Sequence, residues 1–430
     1  MRETKDSNIK WVGAIPSTWT TELGKHFMTC LDRPVREDDG VITCFRDGEV
    51  TLRSKRREEG FTVSFQEIGY QGIEPGDLVV HGMDGFAGAI GISDSRGKAT
   101  PVLNVLDTKQ DKRYMMYALR NMAYTDVFLA LSTGIRVRSC DTSWKKLRSL
   151  EYALPPLDEQ RKIADKIEQK SKQVDALIAN QQAQIEKLKQ YKQSLITEVV
   201  TKGLDPDAPM KDSGAEWLES IPQSWQVAPL KSLFSFGKGL PITKDNLIES
   251  GVPVISYGQI HAKWNSGVTI HEALKRFVSE EYITTNPNSL VKQGDFIMAD
   301  TSEDREGCGN CAYVDTDDQI FAGYHTIILN ANDISDHKYL AYLFRTDAWR
   351  SQIRKRVSGV KLFSISRRIL GDVSVILPPE EEALRMVSIL DAKCSKVDRL
   401  IEIKQKKIEE LNLYKKSLIY EYVTGKKEVV

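Results

Sequence analysis

A chain of 430 residues has room for two or three domains of ordinary size. Its 60 Lys+Arg balance 60 Asp+Glu, which excludes a uniformly basic nucleic-acid coat, an acidic tail protein and a lipid-surface binder, because each depends on a large single-sign field. With 41% hydrophobic residues and seven Trp the composition suits a soluble globular protein with a sizeable core, and six scattered Cys are too sparse for a disulfide scaffold. No run approaches the roughly 18 apolar residues of a membrane span and the N-terminal stretch has no apolar core, so the expected compartment is the cytoplasm with no membrane partner.

Taken in order, the chain opens on the frame D-S-x3-W-x3-I-P-x2-W, from Asp6 to Trp19. A body of short strands follows, VITCF, EVTLR, FTVSF, DLVVHG and AIGISD, broken by Gly and Asp turns and succeeded by a helix around DKRYMMYALRNMAYTDVFLAL. Leu154-Pro155-Pro156 then stops the last strand and begins about 44 residues free of Pro and Gly, which predicts a helix on the order of 66 Å long. After GLDPDAPMKDSG, whose Gly, Pro and Asp read as a linker, the same plan returns. Its frame is now Trp217 to Trp225, its body carries GVPVISYGQI, GDFIMAD, CAYVD and GYHTIILN, and its helix begins after Leu377-Pro378-Pro379. Predicted boundaries are 1–153 and 217–376 for the two mixed α/β bodies, 154–204 and 377–424 for the helices, 205–216 for the linker and 425–430 for a tail.

The closing segments from Leu154 and Leu377 align without a gap, with about 21 of about 48 positions identical, so the chain is a duplication. Both show 3- and 4-residue apolar spacing: Ala164, Ile167, Val174, Ile178, Ile185, Leu188, Leu195 and Val199 against Val387, Leu390, Val397, Ile401, Ile408, Leu411, Leu418 and Tyr422. Alone, each helix would leave this seam in water, so the predicted fold is α+β: two bodies, each followed by a long helix, with the helices paired as an antiparallel coiled coil, the alternative being that each helix packs on its own body or on another chain. Polar seam positions, Ser171, Gln181 and Lys192 against Cys394, Lys404 and Lys415, would fix the register. A second apolar face, Leu177, Tyr191, Ile196, Leu400, Tyr414 and Ile419, is a candidate partner-subunit interface or a packing face for the bodies.

Matched basic stretches resolve the neutral average locally. Arg350, Arg354, Lys355, Arg356, Lys361, Arg367 and Arg368 lie in a run without an acid, and Arg136, Arg138, Lys145, Lys146 and Arg148 occupy the matching place in body one. A further cluster is Arg53, Lys55, Arg56 and Arg57. Such stretches suit phosphate contacts on a duplex, Arg354 and Arg138 foremost, with solvated faces or ion-pair networks as the alternative. Enzyme chemistry finds little footing: Gly91 to Lys98 misses the phosphate-loop spacing, Phe236-Gly237-Lys238-Gly239 reads as a turn, and Cys308 with Cys311 is half a zinc site at most. No metal site is expected, and the remaining alternatives to a DNA reader are a coiled-coil adaptor and a DNA-modifying enzyme in its own right.

With the W-x3-I-P-x2-W frames, the Gly251-Val-Pro-Val-Ile255 strand with Gly258, the Leu-Pro-Pro-x-x-Glu-Gln start at Leu154 to Gln160 and the duplication in hand, the chain resembles the specificity subunits of type I restriction–modification systems over nearly its whole length. Copy two departs from the pattern only at Ala383, where the Gln is replaced. The resemblance implies two target-recognition domains on a conserved helical spacer and no catalytic group. It further implies double-stranded DNA, two methylation subunits and restriction subunits as partners. S-adenosylmethionine, ATP and Mg are then expected on those partners and no cofactor on this chain.

Overall fold

Each copy begins with a hairpin. In the first, Thr4–Asp6 pairs antiparallel with Ala14–Pro16; in the second, Met210–Ala215 pairs with Leu218–Pro222. The shared frame explains both, since Ile15 and Ile221 are fully buried at the returning strand and the closing Trp of each frame, Trp19 or Trp225, is buried just beyond it. The stretch 205–216 is therefore more than the linker its composition suggests. Its second half is a strand, and Gly214, at φ +68°, sits where the register shifts in a bulge. The computed structural model describes residues 2–56, 67–131, 142–332, 337–359 and 361–429, so FTVSF, the Thr133-Gly134 loop, Arg57, Arg136 and Arg138 lie outside the described residues.

The strand after each Trp pairs with the strand before Leu-Pro-Pro: Thr20–Leu23 with Glu151–Leu154, and Gln226–Pro229 with Ser374–Leu377. Each body is thus tied off at its base by its own two ends. Inside, both hold a four-stranded antiparallel sheet in the same order. Body one runs Met28–Cys30, Leu103–Thr108, Leu78–His81, Ile90–Ile92; body two runs Phe234–Lys238, Thr326–Ala331, Phe296–Ala299, Cys311–Tyr313. The Gly-Asp pairs start the equivalent inner strands. Gly76 and Gly294 take φ of 86° and 93°, and the following Asp77 and Asp295 accept the Glu74 and Lys292 amides at 2.8 and 2.9 Å. Body two adds a second sheet in which Val252–Ile255 lies between Arg276–Val278 and, in parallel, Ile320–Ala322. Helices Lys112–Tyr124 in one body and Lys338–Leu343 with Asp347–Arg354 in the other complete the cores.

The run Phe236–Lys238 completes a strand, with Gly239 just beyond its end, and is not a turn. Gly239 is required by close approach: a Cβ there would stand 2.0 Å from the Gly323 carbonyl oxygen and 2.2 Å from Thr326 Oγ1. Gly239→Ala is expected to destabilise body two by about 2–4 kcal/mol, because backbone must move to admit the methyl; a denaturant melt with an unchanged midpoint would contradict this.

The long helices are α1 (Leu157–Lys202) and α2 (Glu380–Val423). The chain divides into two compact units, 1–183 with 404–430, and 184–403, so each unit holds one body, half of α1 and half of α2. In the first unit Lys415 Nζ meets Asp175 at 2.8 Å and Lys404 Nζ meets Gln181 Oε1 at 3.4 Å, an order that makes the helices antiparallel. In the second, Lys192 Nζ meets Asp398 at 2.6 Å, and Gly203, ending α1, faces Glu382 near the start of α2. Asp175 and Asp398 are equivalent in the repeat, as are Lys192 and Lys415, so the two ion pairs are one interaction made twice. The polar seam positions set register through these bonds, while Ser171 and Cys394 are simply buried. No helix among the described residues is long and apolar enough to cross a membrane.

Candidate nucleic-acid interface

The basic residues separate by what they touch. In body one, Arg53 Nε donates to Thr43 Oγ1 at 3.0 Å and Lys55 Nζ to Ser95 Oγ at 2.6 Å. Arg56 pairs with Asp47 and Glu49, both at 2.6 Å, and lies 4.0 Å over the Phe45 ring. Lys146 Nζ donates to the Leu131 carbonyl at 2.7 Å, while Lys145 and Arg148 are exposed. The cluster at 53–56 is therefore an internal network more than a set of waiting cations. Further into the same body the Arg96 guanidinium, clamped on Asp39 at 2.8 Å, holds that carboxyl down to about 2. Such pairs fasten loops to the sheet.

In body two the amphipathic helix Asp347–Arg354 explains the division. Its inward face carries Trp349 and Ile353, and Arg350 beside them is drawn in. Arg350 Nε donates to the Phe344 carbonyl at 2.7 Å, and burial, with repulsion from Arg345 and Arg354, pushes its guanidinium down to about 10. Arg354 is occupied by Asp347 at 2.9 Å and by the Glu306 carbonyl at 2.7 Å. Arg350 and Arg354 are thus engaged within the body, which leaves them less available for phosphate than their place in the basic run suggests. By contrast Lys355, Arg356, Lys361, Arg367 and Arg368 are exposed and none forms an ion pair among the described residues. Strand Phe363–Ser364, which lies between Lys361 and Arg367, pairs with Thr301–Ser302 at the start of the loop 302–310.

That loop borders an open cleft of about 550 Å³ whose lining includes Tyr257, His261, Asn310 and Arg350. His261 is held from both ring nitrogens, Nε2 at 2.9 Å from the Thr301 carbonyl and Nδ1 at 3.0 Å from Asn310 Nδ2. The cysteines of the C-x2-C pair are buried nearby, and burial raises the thiols, that of Cys311 to about 12. Beyond His261 the loop carries Lys263 and an exposed Trp264, neither singled out by charge or repeat. The available signal was the absence of any Asp or Glu from Ser250 to His271.

The second apolar face of the helices also divides. Leu177, Tyr191, Leu400 and Tyr414 are about half exposed. Ile196 and Ile419 are not surface positions at all: they are buried at 0% and 2% in the cores of their units. Gln160, fully buried, donates to the Gln110 side chain and the Pro155 carbonyl and accepts the Asp111 amide at 2.9 Å. Ala383 at the equivalent place lines a cavity of about 220 Å³.

A family model described as type I restriction modification DNA specificity domain matches residues 222–413. Over 320 residues the chain is 26% identical to the type I restriction enzyme MjaVIII specificity subunit of Methanocaldococcus jannaschii, covering 74% of this chain and 70% of that protein. Among solved structures, a chain from work on complex assembly and conformational transition of the type I R-M system superposes with a TM-score of 0.69 at 14% identity, covering 95% of this chain and 98% of the other. The HsdS subunit from Thermoanaerobacter tengcongensis gives a TM-score of 0.50 at 15% identity, covering 96% and 98%. These two likenesses speak to the fold alone. The duplicated bodies, the antiparallel helices and these matches point one way: residues 222–413 match the type I restriction modification DNA specificity domain, and the chain as a whole is similar to type I restriction enzyme specificity subunits.

Proposed function

We propose that this chain reads an asymmetric, bipartite DNA target, one body per half-site, and directs methylation and restriction by partner subunits while contributing no catalytic group itself. The observation that carries the reading is the common sheet order of two bodies whose loops differ: one scaffold presents two surfaces, as two different half-sites require. S-adenosylmethionine, ATP and Mg belong in this reading to the partners. Leu177 and Tyr414 in one unit, and their repeat equivalents Leu400 and Tyr191 in the other, supply two like apolar places, which supports docking of two methylation subunits.

The test is co-expression with a methylation subunit followed by single-molecule sequencing of the modified DNA. A split motif with two unlike halves is the expected result, and an undivided or palindromic motif would sink the proposal. A sharper form inserts one heptad into both α1 and α2. Seven residues add about 10.5 Å of helix, so the gap between half-sites is expected to lengthen by about three base pairs with both half-site sequences retained. Altered half-sites at unchanged spacing would refute the helices as a ruler.

A further inference from the structure

Trp264 is 58% exposed, yet the loop that carries it is firmly built. Asn265 Nδ2 donates to the Ile260 carbonyl at 2.8 Å and to the Cys311 carbonyl at 3.0 Å, while its Oδ1 accepts the Gly267 amide at 2.9 Å. The Ser266 carbonyl accepts from the Arg345 guanidinium, itself buried. A large aromatic exposed on a loop anchored on both sides in this way is a preorganised contact, since the backbone that carries it loses little freedom on meeting a partner. Lys263 beside it is exposed and forms no ion pair among the described residues. In body one the strand Ile42–Cys44, which also follows a Gly-Val step, turns back at once through Phe45 to Glu49. Among the described residues, then, the strand of body two is followed by this longer loop and the strand of body one by a short turn, a difference that suits a device for one half-site.

Charge points to the kind of partner. No acid occurs from Ser250 to His271, which suits a polyanion better than a protein surface of mixed sign. Glu303, Asp304 and Glu306 line the adjoining cleft. They would repel a phosphate but can accept from the amino groups of cytosine or adenine, which leaves phosphates to the exposed cations at 355–368.

We propose that the loop His261–Ser266 is a base-reading element of the second body, entering the major groove with Trp264 as its apolar contact and Lys263 as its polar one. This rests on the reading of the chain as a DNA-specificity subunit and deepens it. A Lys ammonium recognises guanine O6 or N7, and an aromatic ring packs on a thymine methyl group.

The experiment maps methylation by the full complex, formed with its methylation subunits, for wild type, Trp264→Ala, Trp264→Phe and Lys263→Gln. Expected is relaxation at one or two positions of a single half-site, with at least tenfold slower methylation of wild-type sites for Trp264→Ala and partial recovery for Trp264→Phe. The other half-site and the spacing stay fixed. An unchanged motif at an unchanged rate overturns the proposal. So does loss of co-purifying methylation subunits in Trp264→Ala, which would make the ring a protein contact. For Lys263→Gln, a shallower salt dependence with an unrelaxed motif would assign Lys263 to phosphate and overturn its part. Should wild type itself yield no split motif, the underlying functional reading fails, a result separable from all of these.

Discussion

The combined variant Lys361→Ala, Arg367→Ala, Arg368→Ala is expected to lose DNA affinity by about 10- to 1000-fold at moderate salt, with its slope of log affinity against log salt shallower by about two to three. All three side chains are exposed on the segment that follows the helix Asp347–Arg354 and none is spent on a carboxylate among the described residues, so each is available to displace a counterion. The half-site sequences should not change, because phosphate contacts position a protein without reading bases. Arg354→Ala is the internal control. Its guanidinium already serves Asp347 and the Glu306 carbonyl, so the salt slope should stay as in wild type. Measured by titration of the complex at several salt concentrations, an unaltered slope in the triple variant, or a shallower one in Arg354→Ala, would reverse the assignment.

Replacing Trp225 by alanine is expected to cost about 3–5 kcal/mol. The indole is fully buried, meets the Tyr339 ring edge-on at 6.2 Å between centroids, and donates from Nε1 to Glu382 Oε2 at 3.1 Å. It shares a core with Leu195, Ile196, Val199 and Val200 of α1 and with Met386, Val387 and Leu390 of α2. One side chain thus joins the opening hairpin to both helices within its unit. Trp225→Phe should keep most of the buried area and lose the hydrogen bond, costing about 1–2 kcal/mol. A thermal melt should show the transition of this unit moved to lower temperature in both variants, more in the alanine; equal shifts would mean that burial is not the main term.

Much of the architecture is legible in the residues because it is written twice. A repeat of 3- and 4-spaced apolar positions needs a partner, and the second copy is that partner, so the antiparallel pair follows before any coordinates. The opening hairpins are less visible: Gly214 and its Asp neighbours look like linker, because turn residues and bulge residues are the same residues. Ile196 and Ile419 show what periodicity omits. They lie off the heptad seam and so read as surface, but near the ends of α1 and α2 a helix has two neighbours, the other helix and a body, and both faces are buried. Basic runs mislead for a related reason. Arg350, Arg354, Lys355 and Arg356 are close in sequence, yet the helix and its end turn them to different surroundings, one half-buried and bonded to a backbone carbonyl, one ion-paired and two exposed. Only distances show that Arg56 belongs to Asp47 and Glu49, since the acids lie in the turn before the strand Val50–Leu52.

The repeated ion pair has one more implication. Helix α1 alone carries both halves of it, an acid at Asp175 and a base at Lys192, and α2 carries the same two at Asp398 and Lys415. A single copy is therefore self-complementary. Two identical copies laid antiparallel would satisfy both pairs with no change of sequence, which is the condition for an isologous homodimer. A dimer of that kind presents the same body twice and would select inverted repeats. Joining two such copies in one chain frees the bodies to diverge while the register stays as it was, so two unlike bodies are held without rebuilding the spacer.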